Sequence, residues 1–324
     1  MSRRKPLKLR TPRSTTARSV KRTAIGALAV VGLLTGCSGG TDRGDVLADL
    51  ATQGAETLEA LPEVAAAATA AVETACASGE KADFDAAAED VAAAQTRWHE
   101  AEAFWLGPAT DLRSNSIVDW PANAQDVDDL VAAEEPATID VNYLAAYVGA
   151  DTRGYGAVLT LLEQAPLDER QCDYANAATA LAESGIDAVT AAWTDPDDGE
   201  PYRDELADPA VGIDAVVNHL LALLTNKDAA NWEARSNSVE DLLFGPEGDS
   251  GLSALLDDDL TAQLRTETDE LISATRDGEA AADDEPSEAA LAAMNELRAT
   301  VATQVVAELG VTVTFSDADG DSAG

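Results

Sequence analysis

The chain has 324 residues, with 60 Asp+Glu, 21 Lys+Arg and two His. Nine of the cations lie in residues 1–22 and every acid follows Cys37, leaving 12 cations against 60 acids, a formal charge of about −48 beyond that point. Such a surface repels nucleic acid and anionic lipid, which makes both poor partners, and no nucleic-acid partner is expected. Its simplest reading is adaptation to high salt, where carboxylates stay hydrated and screening removes their mutual repulsion.

Residues 1–37 read as an export signal. A basic, acid-free stretch precedes an apolar run over 24–34, AIGALAVVGLL, too short to span a bilayer comfortably. The run ends in Leu34-Thr35-Gly36-Cys37, the pattern of a lipobox, so Cys37 is the expected lipidation site after cleavage. An ordinary secretory signal is the alternative. Arg3-Arg4 also fits a twin-arginine export signal, although a plain basic leader explains the pair equally. The expected location is therefore extracytoplasmic, lipid-anchored to the outer face of the cell membrane. Small polar residues over 38–44 form the tether, and residues 316–324 a disordered tail.

Between them, residues 45–315 read as helical. Alanine and leucine are abundant, aromatics are 4%, and β-branched runs are few, which leaves little material for a sheet. Helical pattern runs over 45–76, broken or kinked by Pro62 after Leu61. A second helix is predicted over 82–106, with Val91, Ala94, Trp98, Ala101 and Trp105 along one buried stripe. Gly107-Pro108 ends it. A short helix over 126–133 and a longer one over 138–163, weakened by Gly149, Gly154 and Gly156, close a first half at about 45–165. The second half, 166–315, holds helices over 171–193, 209–225, from 228 to Gly245-Pro246, 251–275 and 286–309. The loop DPDDGEP separates the first two, Gly310 is a helix stop, and 311–315 alternates like a short strand.

Two octamers tie the halves together. Arg113-Ser114-Asn115-Ser116-Ile117-Val118-Asp119-Trp120 returns as Arg235-Ser236-Asn237-Ser238-Val239-Glu240-Asp241-Leu242, and a histidine precedes each, by 14 residues (His99) and 16 residues (His219). The expectation is an all-α fold of two packed bundle halves related by internal duplication, each turning a corner at this motif. Cys76 and Cys172 are predicted to form a disulfide outside the cell; two buried thiols are the alternative.

The candidate site residues follow from scarcity. His99 and Glu102, three apart at helical spacing, could share a metal ion, and His219 could approach the same cleft; each has a structural alternative, as a polar flank of the tryptophan stripe or a hydrogen-bonded core histidine. Arg113, Asn115, Asp119, Arg235, Asn237 and Asp241 either line a ligand cleft between the halves or fix the two motif loops. Among so many acids the structural role is expected. Asp317, Asp319 and Asp321 lack the glycine and closing glutamate of an EF-hand and read as a solvated tail. No nucleophile–histidine–acid pattern, HExxH, P-loop or dinucleotide fingerprint is present.

Several pieces, in this order, resemble the imelysin-like family across roughly residues 45–321. They are Trp98-x-x-x-Glu102-Ala103-Phe104 leading to Gly107-Pro108, Trp120-Pro121, Cys172 with Tyr174, Arg235-Ser236-Asn237-Ser238, and Leu309-Gly310-Val311 through Phe315 to Asp319-Gly320-Asp321. The resemblance implies an all-helical fold of two bundles and an extracytoplasmic, often lipid-anchored protein linked to iron uptake or iron regulation; the family name comes from a peptidase. The family's G-x-H-x-x-E motif here reads Gly154-Tyr155-Gly156-Ala157-Val158-Leu159, with Gly156 for the histidine and Leu159 for the glutamate. Neither can grip a cation, so no catalytic role carries over. The expected function is a non-catalytic binding protein aiding uptake of iron or another divalent metal, with a metal ion or an uptake-system component as its partner; the alternatives are an imelysin-type metallopeptidase and a protein-docking module.

Overall fold

A computed structural model describes residues 42–225, 231–246, 248, 250–279 and 286–314. The signal with Cys37, most of the tether, Phe315 and the tail with Asp317, Asp319 and Asp321 lie outside the described residues.

Pro62 acts as expected, at the start of a helix rather than inside one. Arg43–Glu59 (α1) ends at Ala60, and Leu61–Ser78 (α2) follows with the proline in its first turn, where its missing N–H costs nothing. Asp42 caps α1 by accepting from the Gly44 N–H, so positions 43 and 44 of the expected tether are helical. Lys81–Glu100 (α3) carries the tryptophan stripe and is shorter than its periodicity suggests: a 3-10 turn, Glu102–Phe104, takes over beyond Ala101. Val91, Ala94, Trp98 and Ala101 are buried, and Trp98 stacks on Trp105 at 4.6 Å.

The glycine-weakened region breaks into pieces. Pro108–Asp111 (α4), Asn115–Val118 (α5), Ala124–Ala132 (α6), Val141–Tyr147 (α7) and Tyr155–Leu162 (α8) are joined by turns, with a 3-10 turn at Ala150–Thr152. Glu169–Thr194 (α9) is the longest helix described, opened by a capping box between Asp168 and Gln171. Tyr202–Leu206 (α10), Gly212–Leu223 (α11), Trp232–Phe244 (α12), a 3-10 turn Leu252–Leu255 and Asp258–Glu279 (α13) follow. Glu288–Thr300 (α14) continues through a π-helical turn, Val301–Val305, into Val306–Leu309 (α15), stopped by Gly310 in the left-handed region.

The described residues form no strand; an isolated bridge joins Asp119 to Gly154. Residues 311–314 do not pair as the alternation suggested. The side chains of α11 hold them instead: Asp214 accepts from the Thr312 N–H, and Asn218 bonds both Thr312 and Thr314.

Helices α2, α3, α8 and α9 pack together, and α12, α13 and α14 form a second group. The 3-10 turn after α3 lies against α12 and joins the two. Helix α9 falls within the 166–315 half read from sequence, yet it packs on α1, α2 and α8. The Cys76–Cys172 disulfide forms as predicted, between the end of α2 and the start of α9, with Cα atoms 5.6 Å apart.

The two octamers do not share a structure. In the first, Arg113 sits in the left-handed region (φ 53°) between α4 and α5, and the chain turns there. The second runs unbroken inside α12, so it turns no corner, and the internal duplication finds no support in it. Five identical letters in eight fix no shape. In the first copy Gly107-Pro108 and Asp119-Trp120-Pro121 bracket the motif and forbid a continuous helix, whereas Asn231 caps the second from upstream.

With few cations available, several arginines staple helix ends through carbonyls. Arg43 donates to Leu309 O, Arg153 to Ser116 O, and Arg170 to Val131 O and Pro136 O. Partial burial lowers the Arg153 pKa from its ordinary value.

Candidate functional site

Two buried polar clusters meet at the end of α3. The first is built on Asp119. Gly154, at φ +81°, brings α8 so close to the Asp119 corner that a Cβ would lie 2.6 Å from Val118 O. That approach sets the Gly156 N–H 2.8 Å from Asp119 Oδ1. From α3, Gln95 Nε2 donates to both carboxylate oxygens at 3.1 Å, and His99 Nε2 lies 2.7 Å from Oδ2. A carboxylate oxygen can only accept, so His99 donates from Nε2. The neighbouring Tyr155 hydroxyl is buried without a hydrogen-bond partner. Burial raises its pKa well above the ordinary phenol value, and the charges of Glu183, Asp119 and Asp187 add to the effect.

The second cluster joins the two helix groups. Glu102, in the 3-10 turn, forms a buried ion pair with Arg235 of α12, through Nε at 3.2 Å and through a shorter bond from the terminal nitrogen. His219 of α11 donates from Nε2 to the Glu102 carbonyl at 2.9 Å. Burial lowers the His219 pKa and Arg235 lowers it further, against the opposing pull of the Glu102 carbonyl and charge, so the neutral ring is favoured.

His99 and Glu102 were expected on one helical face, but α3 ends between them. The turn at Ala101 sends His99 to Asp119 and Glu102 to Arg235. His219 reaches the backbone of Glu102, not its carboxylate. Arg113 and Asn115 lie exposed, the latter capping the Ser116 N–H. Asn237 and Asp241 are half-buried on α12; burial, then the charge of Glu240, pushes the Asp241 pKa up to about 6. Among the described residues, no three His, Cys, Asp or Glu come together as a set able to hold a metal ion.

Sequence reading missed Gln95 and the Gly156 N–H. Gln95 stands four residues before His99, on the same helical face, and that spacing was the available signal. The Gly156 contribution leaves none, because it is a backbone group positioned by a tertiary approach.

The family model described as imelysin (peptidase M75) matches residues 54–235. The chain belongs to the imelysin family. Solved structures agree with the imelysin assignment at the level of fold. A protein designated iron-regulated protein A precursor, from Parabacteroides distasonis, superposes with a TM-score of 0.65 at 16% identity, covering 84% of this chain and 97% of its own. An imelysin-like protein from Psychrobacter arcticum gives 0.64 at 16% identity, over 85% and 99%. No curated protein matches the sequence. Gly156, which stands where the family resemblance would put the motif histidine, donates its N–H to the same carboxylate that His99 approaches from α3. Among the described residues no helix is long and apolar enough to cross a membrane.

Proposed function

We propose that this member of the imelysin family is an extracytoplasmic, lipid-anchored binding protein that assists uptake of iron or another divalent metal ion and performs no hydrolysis. The observation that carries the reading is the wiring of its polar interior. His99 is held on Asp119, His219 on the Glu102 carbonyl, and Glu102 on Arg235. A hydrolase needs a base aimed at a nucleophile or a metal-bound water, and these groups are aimed at one another. The iron association rests on what one structural relative is called, and the anchor on Leu34-Thr35-Gly36-Cys37.

The group best suited to meet a metal ion is His99. A carboxylate behind one imidazole nitrogen is the arrangement that orients histidine ligands, which would bind through the other nitrogen. Calorimetric titration of the purified protein with ferrous, ferric and zinc ions tests the reading. Binding should weaken roughly 10–100-fold in Asp119→Asn and disappear in His99→Ala. Equal affinity in all three proteins removes His99 from the site, and cleavage of any member of a peptide library removes the non-catalytic assignment. A Cys37→Ser variant should leave the membrane fraction; its retention there excludes the lipid anchor.

A further inference from the structure

The Cys76–Cys172 disulfide lies in a cleft of about 490 Å³ whose other walls include Glu73, Asp168, Glu169 and Asp173. Both cysteines are half-buried, not sealed in the core. Their helices hold them in opposite fields. Cys172 sits in the first turn of α9, a 26-residue helix with a capped N-terminus, and Cys76 sits in the last turn of α2. The positive end of a helix stabilises a thiolate and the negative end opposes one. The two sulfurs of this bond are therefore unequal: Cys172 is the better leaving group and Cys76 the sulfur to be attacked.

The charges around the cleft act on the incoming reagent. The attacking species in exchange is a thiolate, and four carboxylates repel it unless its own molecule carries a compensating positive charge. We infer that the Cys76–Cys172 bond is a thiol–disulfide exchange site, selective for cationic or neutral thiols and dithiols, with Cys76 forming the mixed disulfide. In the first step the thiolate bonds Cys76 Sγ, the bond between the two cysteine sulfurs breaks, and its electron pair leaves on Cys172 as a thiolate. A second thiolate then bonds the first thiol's sulfur and releases Cys76, so the cystine gains two electrons and two thiols are oxidised to one disulfide. This inference is independent of metal binding, and neither histidine takes part.

Cysteamine and glutathione are the probes, one cationic and one anionic. Each is reacted with the folded full chain, and each rate is divided by that on a small neutral disulfide, which removes intrinsic reactivity. At low ionic strength, where charges act over about 30 Å, cysteamine should be favoured by roughly tenfold or more. The preference should fall to about threefold or less near 1 M salt, where the screening length is about 3 Å. Glu73→Gln with Asp173→Asn should shrink it at low salt, although the double change alters the formal charge only slightly. Alkylation of the intermediate, followed by peptide mapping, should find the adduct on Cys76 and the alkyl group on Cys172. Equal normalised rates, an adduct on Cys172, a preference untouched by the double variant, or reduction only after unfolding in urea would each overturn the proposal.

Discussion

Glu102 and Arg235 show what a charge costs inside this protein and why it is kept. Each is buried, and each satisfies the other. Removing one partner leaves the other a buried charge without its counter-ion, so Glu102→Leu or Arg235→Met alone should lower the unfolding free energy by about 3–5 kcal/mol. The paired change Glu102→Leu with Arg235→Met should restore most of that loss, because both desolvation penalties vanish together. Urea denaturation of the three variants, read as a double-mutant cycle, measures the coupling.

Asp241 presents the opposite case, a carboxylate that burial disfavours. Its pKa is raised from 3.8 to about 6, so the folded state holds its proton more tightly than the unfolded chain. That contribution is fully present below pH 3.8 and is lost as pH rises through about 6. Above that value the charged side chain destabilises the fold. Asp241→Asn should therefore raise stability at pH 8 by about 1 kcal/mol, a figure discounted for partial exposure, with little gain at pH 4. A melting-temperature difference that does not depend on pH would contradict this account.

Among the elements, the approach of α8 to the Asp119 corner decides the geometry of the site. It depends on Gly154, where a side chain would meet Val118 O at 2.6 Å and φ is +81°. Gly154→Ala should cost about 2 kcal/mol or more through backbone strain and displacement of α8. The hydrogen bond from the Gly156 N–H to Asp119 should go with it, visible as faster amide exchange at residue 156 than a uniform loss of stability produces. The end of α3 matters equally. Periodicity carried the helix through residue 106, because Trp105 keeps the apolar spacing. The 3-10 turn keeps Ala101 buried and Trp105 stacked on Trp98 while redirecting Glu102 towards α12. Spacing alone does not distinguish a helix that continues from a turn that preserves the same contacts.

For the whole molecule, charge is the governing feature. Among the described residues Glu102, Asp119 and Glu267 are the buried carboxylates, so nearly all of the acid load faces water. Like charges at that density destabilise the compact state at low salt, and screening relieves them. Raising sodium chloride from about 0.1 M to about 2 M should increase the melting temperature by several degrees. Potassium chloride should do the same, since the effect is screening and not site binding. A flat or falling response would remove the salt-adaptation reading. The Glu102–Arg235 pair should respond little, because buried pairs are poorly screened.

The sequence by itself determined the all-helical class, the break at Pro62, the stop at Gly310, the disulfide and the family. Each is written in local chemistry: a missing N–H, a left-handed glycine, a pair of cysteines, an ordered set of short motifs. Tertiary structure decided what the polar residues do. The repeated Arg-Ser-Asn-Ser became a turn in one place and the inside of a helix in the other, according to the residues flanking it. His99 and Glu102, three apart in the chain, parted company because a turn falls between them. Asp119, Gln95 and the Gly156 N–H came together because Gly154 lets two backbones touch. Spacing specifies which residues share a helical face; which partner satisfies a buried charge depends on contacts between elements far apart in the chain.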